Sequence, residues 1–442
     1  MGACDHSLRF PSGSRYAFPQ MNVNLAYGRG GLTVDLPKDR TTVIEPTFRP
    51  GLADERAALL EALESPIGAQ PLKAWLKPNA KICILFTDIT RATPNHRIIP
   101  WLLAYLESAG VRRDQVTLLN QLGTHRPNTK AELEKMLTPE VVAGWRVVNH
   151  EPENEHACVT LGTTRTGVPA RINRIAVEAD VRILTGFIEP HFFAGFSGGP
   201  KALMPGVAHL ETVMSNHGVD HLNDPRSTFG ICEGNPLWEE LLEIALRVGP
   251  SFLLNVTLNE HRDITRVFAG DLVEAHRVGR EYVRTAAMQK VDRPFEVVVT
   301  TNSGYPLDMN LYQGVKGMSA GARVLAQGGT LILAAECSEG VPAGSPFDKL
   351  LREGGSPEEI LGLLATPGFV RPEQWQAQIQ SLIQRRAKVL LYSSMSADVL
   401  RAAHLTPCTD IAAAVRQELE RFGPGSRVAV LPQGPLTIPY IA

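Results

Sequence analysis

The sequence predicts an α/β protein: two α/β domains with mainly parallel sheets and the active site in the cleft between them. Three observations carry this expectation. Short apolar runs, Lys81–Phe86 (KICILF), Gln115–Asn120 (QVTLLN), Val181–Thr185 (VRILT) and Phe295–Thr300 (FEVVVT), are each followed by a polar loop. Helical periodicity follows most of these loops, the rhythm of a parallel sheet with crossover helices. The chain of 442 residues exceeds what one ordinary core organises. Asp292-Arg293-Pro294 interrupts the pattern just before a new apolar strand. The boundary therefore falls near residue 290, with 1–290 as an N-terminal domain and 291–442 as a C-terminal one.

Composition excludes several classes. With a net charge of −2, the chain lacks the basic surplus of a nucleic-acid-binding protein. No run of 18 or more apolar residues is present, so no membrane-spanning helix is expected. The segment MGACDHSLRF has no apolar signal core, and His6 occupies the position where myristoylation calls for Ser or Thr. The six cysteines are scattered singly, a reduced pattern that predicts a cytoplasmic protein without disulfides.

Along the chain, residues 1 to about 20 are polar and irregular. Asn22–Pro37 alternates apolar and polar residues on both sides of Gly-Arg-Gly-Gly, a hairpin signature. Asp54–Ser65 carries helical spacing with an acidic start. The strand at Lys81–Phe86 runs into Thr87-Asp88-Ile89-Thr90-Arg91, and helix Ile98–Ser108 follows. The strand at Gln115–Asn120 ends in Gly123-Thr124-His125-Arg126, and Thr129–Met136 starts another helix. Pro236–Val248 is an amphipathic helix, Phe252–Leu258 and Asp263–Ala269 form a hairpin, and Arg277–Val291 is helical. In the second domain, Leu311–Ala320 carries Tyr312, Gln313 and Lys316. Ala322–Gln327, Gly329–Ala335 and Ala387–Tyr392 supply further strands.

The stretch Gly186–His221 organises the rest. It holds four of the twelve histidines and leaves the end of a buried strand as a Gly-rich segment with Lys201 directly after Gly-Gly-Pro. Carboxyl-end loops of a parallel sheet open on one edge, where ligands bind. Three such loops carry Asp88 and Arg91, then His125 and Arg126, then His191 and Lys201, so these groups are expected to converge. His125 and His191, from separate loops, suit a general acid and base on opposite sides of one pocket. A histidine flanked by Phe192 and Phe193 also suits a purely structural place. Lys201 fits either a cation beside a phosphate or a desolvated reactive amine. Its spacing departs from a nucleoside-triphosphate loop. His217 and His221 share the spacing of some zinc sites, although Gly218 weakens a helix there and no Glu lies between them. Arg91, Arg126 and Lys316 are candidate anchors for an anionic substrate.

These residues carry a resemblance. The run Glu189-Pro190-His191-Phe192-Phe193-Ala194-Gly195-Phe196-Ser197-Gly198-Gly199-Pro200-Lys201, with Asn216-His217 after it, resembles the lactate racemase family. Gly123-Thr124-His125-Arg126, Thr87-Asp88-Ile89-Thr90-Arg91 and Tyr312-Gln313-x-x-Lys316 are similar to its other motifs, in order, over about residues 20–430. The resemblance implies a racemase or epimerase of lactate or a related small 2-hydroxy acid. It also implies a nickel-pincer nucleotide (a nicotinate-derived mononucleotide holding Ni(II)), and proteins that synthesise it.

Carried over, Lys201 is the covalent attachment point, His217 a nickel ligand, and Asp88, Ile89, Thr90 and Arg91 the loop on the nucleotide. His125 and His191 are the two acid/base residues, Arg91, Gln313 and Lys316 contact substrate, and Trp375 lines the site. Such chemistry explains the residue types. Removing the C2 hydrogen as a hydride avoids piling charge beside a carboxylate, and a base on each side serves each enantiomer. The competing enzyme reading is a zinc-dependent hydrolase or dehydratase using the same histidines. A nickel or nucleotide carrier would have no use for paired bases.

Overall fold

The computed structural model describes residues 19–441, so the irregular stretch expected at the very start lies largely outside the described residues. Two six-stranded sheets dominate. In the first, the order across the sheet is Ile264–Asp271, Phe252–Leu258, Val181–Phe187, Ile82–Thr87, Val116–Gln121 and Arg146–Asn149. All neighbours are parallel except the outermost hairpin pair, Phe252–Leu258 with Ile264–Asp271. The central strands are buried almost end to end, which is why they read as unbroken apolar runs rather than alternating ones.

The chain leaves Ile82–Thr87 toward Val116–Gln121 on one side, and later returns to its other side with Val181–Phe187. Strand order therefore reverses at Ile82–Thr87, and the carboxyl ends of it and Val181–Phe187 open the crevice where an open α/β sheet takes its ligand. The loops leaving these two strands are Asp88–Arg91 and the Gly-rich segment.

The second sheet is wholly parallel: Thr406–Pro407, Lys388–Tyr392, Leu325–Ala334, Phe295–Thr301, Val428–Leu431 and Thr41–Val43. Its last strand comes from the start of the chain. Thr41–Val43 pairs with Val428–Val430, and the hairpin Gln20–Leu25 with Leu32–Pro37 buries Val23, Leu25, Val34 and Leu36 against Val297 and Val299. Residues 20–43 thus pack with the later half of the sequence. The chain crosses between the two sheets near residues 44–54 and again near 288–294, and the crossings touch: the Gln289 Nε2 donates to Thr47 Oγ1 at 3.3 Å.

Local patterning decided most elements. Asp54 caps helix Glu55–Glu64 by accepting from the Ala57 amide, and Thr129 with Glu132 forms a capping box on Lys130–Leu137. Two expectations are corrected. The helix expected at Arg277–Val291 is Leu272–Ala287, started by Asp271, whose carboxylate accepts from the Val273 and Glu274 amides. Met288–Val291 is instead a strand paired with Ile438–Ile441, a partner some 150 residues away in sequence that local periodicity does not reveal. The two separate segments expected at Ala322–Gln327 and Gly329–Ala335 fall largely in one strand, Leu325–Ala334, with its irregular register near Gly328 and Gly329.

Candidate active site

The cleft between the sheets encloses about 920 Å³ of empty space, counting its mouth. The first sheet contributes strand ends and loops, among them Thr87, Arg91, His125, His191, Lys201 and His217. The second contributes Tyr312, Gln313, Lys316, Trp375 and Gln376. Aromatic contacts link the two sides. His125 meets Tyr312 edge-on at 6.3 Å between ring centroids, Trp375 lies 5.0 Å from His217, and Phe193 lies 5.1 Å from His217 and 4.6 Å from His191. The Trp375 Nε1–H donates to the Tyr312 hydroxyl at 2.9 Å, fixing both rings.

His125 leaves its strand beside a buried carboxylate. Asp88 is 3% exposed, and its Oδ2 lies 2.7 Å from His125 Nδ1. The Thr90 hydroxyl donates to Asp88 at 2.9 Å, and Arg91 in turn donates to Thr90 Oγ1. Burial pushes the Asp88 carboxyl up, but His125, Arg91 and Thr90 together outweigh it and hold the group below its ordinary value. An ionised Asp88 takes the Nδ1–H of His125, which leaves Nε2 as the nitrogen free to exchange a proton. His191 is arranged oppositely. Its Nδ1 accepts from the Ala194 amide at 3.2 Å, the tautomer with a proton on Nε2. Burial, then Lys201, Lys316 and Arg91, keep its pKa well below the usual value, so it stays neutral. One histidine is set to accept a hydrogen bond and the other to donate one.

Lys201 stands on a short 3₁₀ turn, Gly199–Ala202. Gly198 and Gly199 both have positive φ, and a Cβ on Gly199 would fall 2.5 Å from the His276 ring. The Asn255 side-chain Oδ1 accepts from the Gly199 amide at 2.8 Å, and His276 Nε2 bonds the Ser197 carbonyl at 2.8 Å. Glycine is what lets backbone pass this close to both. Burial, reinforced by Arg91, lowers the Lys201 amine to about 7, and burial with Arg91 does the same to Lys316. Both lysines therefore have an accessible neutral form.

His217 closes helix Leu210–Asn216. It is 4% exposed, and its Nδ1 is buried without a hydrogen-bond partner. Burial first, then Lys201, keeps it neutral, the form in which imidazole ligates metal. His221 is not its companion: its Nδ1 bonds the Asn216 carbonyl at 2.8 Å and sits near buried Glu240. The pairing suggested by spacing fails because Gly218 ends the helix between them. Among the described residues, no three His, Cys, Asp or Glu side chains assemble as a metal cage, as a zinc hydrolase would need.

Other sequence candidates separate. Arg91, Gln313 and Lys316 line the cleft, and the buried Gln313 Oε1 has no partner. Asp88 and Thr90 lie behind His125, and Ile89 faces a neighbouring pocket with Arg97, Lys135 and Tyr305. Arg126 is not an anchor: its exposed guanidinium grips Glu132 through both carboxylate oxygens, because that acid also caps the next helix. Sequence reading passed over Asn255 and His276, which hold the Lys201 loop, and Glu189, whose only signal is its place two residues before His191.

Known proteins match this arrangement along nearly the whole chain. Residues 27–230 match the lactate racemase N-terminal domain, and residues 291–438 the lactate racemase C-terminal domain. The lactate racemase of Thermoanaerobacterium thermosaccharolyticum is 32% identical over 420 residues, covering 93% of this chain and 98% of that protein. That of Lactiplantibacillus plantarum is 32% identical over 422 residues, covering 91% and 98%. The solved structure of the T. thermosaccharolyticum lactate racemase apoprotein superposes with a TM-score of 0.87 at 32% identity, covering 95% of this chain and all of that one. Two parallel sheets, a cleft between them and a sequence match across both halves lead to one assignment: the chain belongs to the lactate racemase family and is an isomerase.

Proposed function

We propose that this enzyme interconverts the enantiomers of lactate or a closely related small 2-hydroxy acid, with a nickel-pincer nucleotide attached at Lys201. The observation that carries the reading is the pair of histidines from separate strands, His125 and His191, facing one cleft with Lys201, His217, Arg91 and Lys316. The residues fit the cofactor. Lys201 has an amine near neutrality for covalent attachment. His217 has a buried nitrogen without a partner for nickel, whose other ligands the nucleotide itself would provide. The nucleotide, when bound, supplies a hydride acceptor beside the metal.

The chain's own side chains do the rest. Arg91 and Lys316 bind the carboxylate and polarise the oxygen on C2, and Gln313 offers its unpartnered oxygen to the substrate. His125, oriented by Asp88, takes the hydroxyl proton of one enantiomer at Nε2. His191, on the other side, handles that of its mirror image. Phe192, Phe193 and Trp375 keep the cleft apolar, so a flat keto acid is shielded from water while it reorients. In this reading the enzyme depends on the proteins that build the nucleotide.

The test is protein produced in cells that make the nucleotide. Mass spectrometry is expected to find a nickel-bearing adduct on Lys201 after denaturation, and chiral chromatography to find interconversion that His125→Ala and His191→Ala each abolish. Interconversion retained in both variants refutes the two-histidine reading, and an adduct found only in native spectra removes the covalent role of Lys201.

A further inference from the structure

Glu189 is a charged side chain that the reaction as described does not use. Its backbone is pinned on both sides to Ser197: the Glu189 amide donates to Ser197 Oγ at 3.0 Å, and the Ser197 amide donates to the Glu189 carbonyl at 2.9 Å. Pro190–His191 continues the extended chain, paired with Gly195–Phe196.

Glu189 and His191 share a narrow cavity with Lys316 and Asn302, with room for about one water. The Asn302 Oδ1 is buried and has no partner, an acceptor that calls for water in a space of this size. Glu189 also lines a second, outer pocket of about 670 Å³ with Thr257, Asn259 and Arg262. It is the carboxylate common to both spaces.

His191 needs such a neighbour. A racemase with one base on each face ends a turnover with a proton on the wrong histidine, and the free enzyme must redistribute it before the next identical turnover. His125 has Asp88 directly against it, whereas His191 has the Ala194 amide on Nδ1 and no carboxylate in contact.

We propose that Glu189 is the proton relay that resets His191, passing its proton from the inner cavity to the outer pocket and back. The proposal rests on the two-histidine reading above. Where turnover leaves His191 as imidazolium, one of its N–H bonds breaks as an O–H bond forms on Glu189, through a bridging water, and the ring returns to its neutral form. The Glu189 O–H then breaks as water in the outer pocket takes the proton, and the reverse sequence reloads the ring. The charged groups facing Glu189 are Lys316, Arg91 and Arg262. Burial raises the Glu189 carboxyl above its ordinary value against their pull, and lowers Lys316 to about 7.

The test compares cofactor-loaded wild type with Glu189→Gln and Glu189→Asp. Glu189→Gln keeps the shape of the protonated acid and cannot carry a proton. Its kcat is expected to fall by about tenfold or more, with kcat/KM within about twofold, because binding and the proton transfers to and from substrate stay intact. Isotopically labelled substrate mixed at equilibrium with an excess of one unlabelled enantiomer should then be driven transiently out of isotopic balance, the signature of a slow interconversion of two free-enzyme forms. Glu189→Asp is expected to restore kcat. In the apoprotein, infrared difference spectra should show a carboxylic-acid carbonyl band that Glu189→Gln removes. Unchanged kcat without tracer imbalance overturns the relay. So does an equal fall of kcat and kcat/KM in both variants with the fold intact, which marks a structural residue. Interconversion that survives His191→Ala instead sinks the underlying two-histidine reading, whatever Glu189 does.

Discussion

Replacing Asp88 by Asn is the sharpest probe of how His125 works. The substitution preserves size in a site that is 3% exposed, but replaces an acceptor-only carboxylate with an amide able to donate. What is lost is a charge-assisted hydrogen bond of 2.7 Å. Such bonds contribute about 1.5–3 kcal/mol, and at about 1.4 kcal/mol per factor of ten the loss corresponds to roughly 10- to 100-fold in kcat/KM. If the amide nitrogen also turns toward Nδ1, it holds the proton on Nε2, the wrong tautomer, and the loss extends toward about 10⁴.

The assay is enantiomer interconversion from both directions, with nitrogen NMR of His125 to read its tautomer. The two enantiomers have equal free energy, so kcat/KM must fall by the same factor in each direction. The pH dependence has a definite sign. Asp88 has a depressed pKa in the folded state, so its contribution to stability is present above the ordinary carboxylate range and is lost as pH falls through the depressed value. Asp88→Asn is expected to lose that acid limb of the stability curve. A variant with kcat/KM within twofold of wild type and His125 in its original tautomer refutes the reasoning.

Three further outcomes are expected. Lys201→Met should stabilise the apoprotein near neutral pH, since the folded-state amine is depressed to about 7 and the unfolded chain binds that proton more readily. The advantage should shrink as pH rises toward about 10, read by thermal unfolding at several pH values. Gly198→Ala places a Cβ 2.4 Å from the Asn255 side-chain oxygen at a positive φ, and should cost about 1–3 kcal/mol in denaturant unfolding while lowering adduct formation on Lys201. Tyr312→Phe removes the acceptor of the buried Trp375 indole N–H and should destabilise by about 1–3 kcal/mol, measured the same way.

The strands were legible because a strand buried on both faces leaves a run such as KICILF that few other contexts produce, and the loops after them could be assigned to one edge of the sheet. His125, His191, Lys201, Arg91, Gln313 and Lys316 were placed by motif, and all of them line the cleft. Partners distant in sequence were not legible. Nothing in MQKV announces pairing with IPYI at the other end of the chain, and nothing in TTV announces an edge strand of the later sheet. Arg126 misled because a guanidinium's reach does not say which carboxylate it will find, and Glu132 stood in the first turn of the helix that follows. Asn255 and His276 were missed because they act on backbone, through a carbonyl and an amide that a side-chain motif does not encode.

The double crossing between the sheets has a mechanical consequence. A single linker leaves two bodies free to twist, but two linkers bonded to each other through Thr47 and Gln289 define one axis, like the paired leaves of a door. Rotation about that axis widens the cleft while sparing each rigid half. His125, His191, Lys201 and His217 all ride on one leaf; Tyr312, Gln313, Lys316 and Trp375 ride on the other. Such a rotation would draw Tyr312, Gln313, Lys316 and Trp375 away from His125 and His191 without changing the spacing of the two histidines, which would keep one relative pose from one opening to the next.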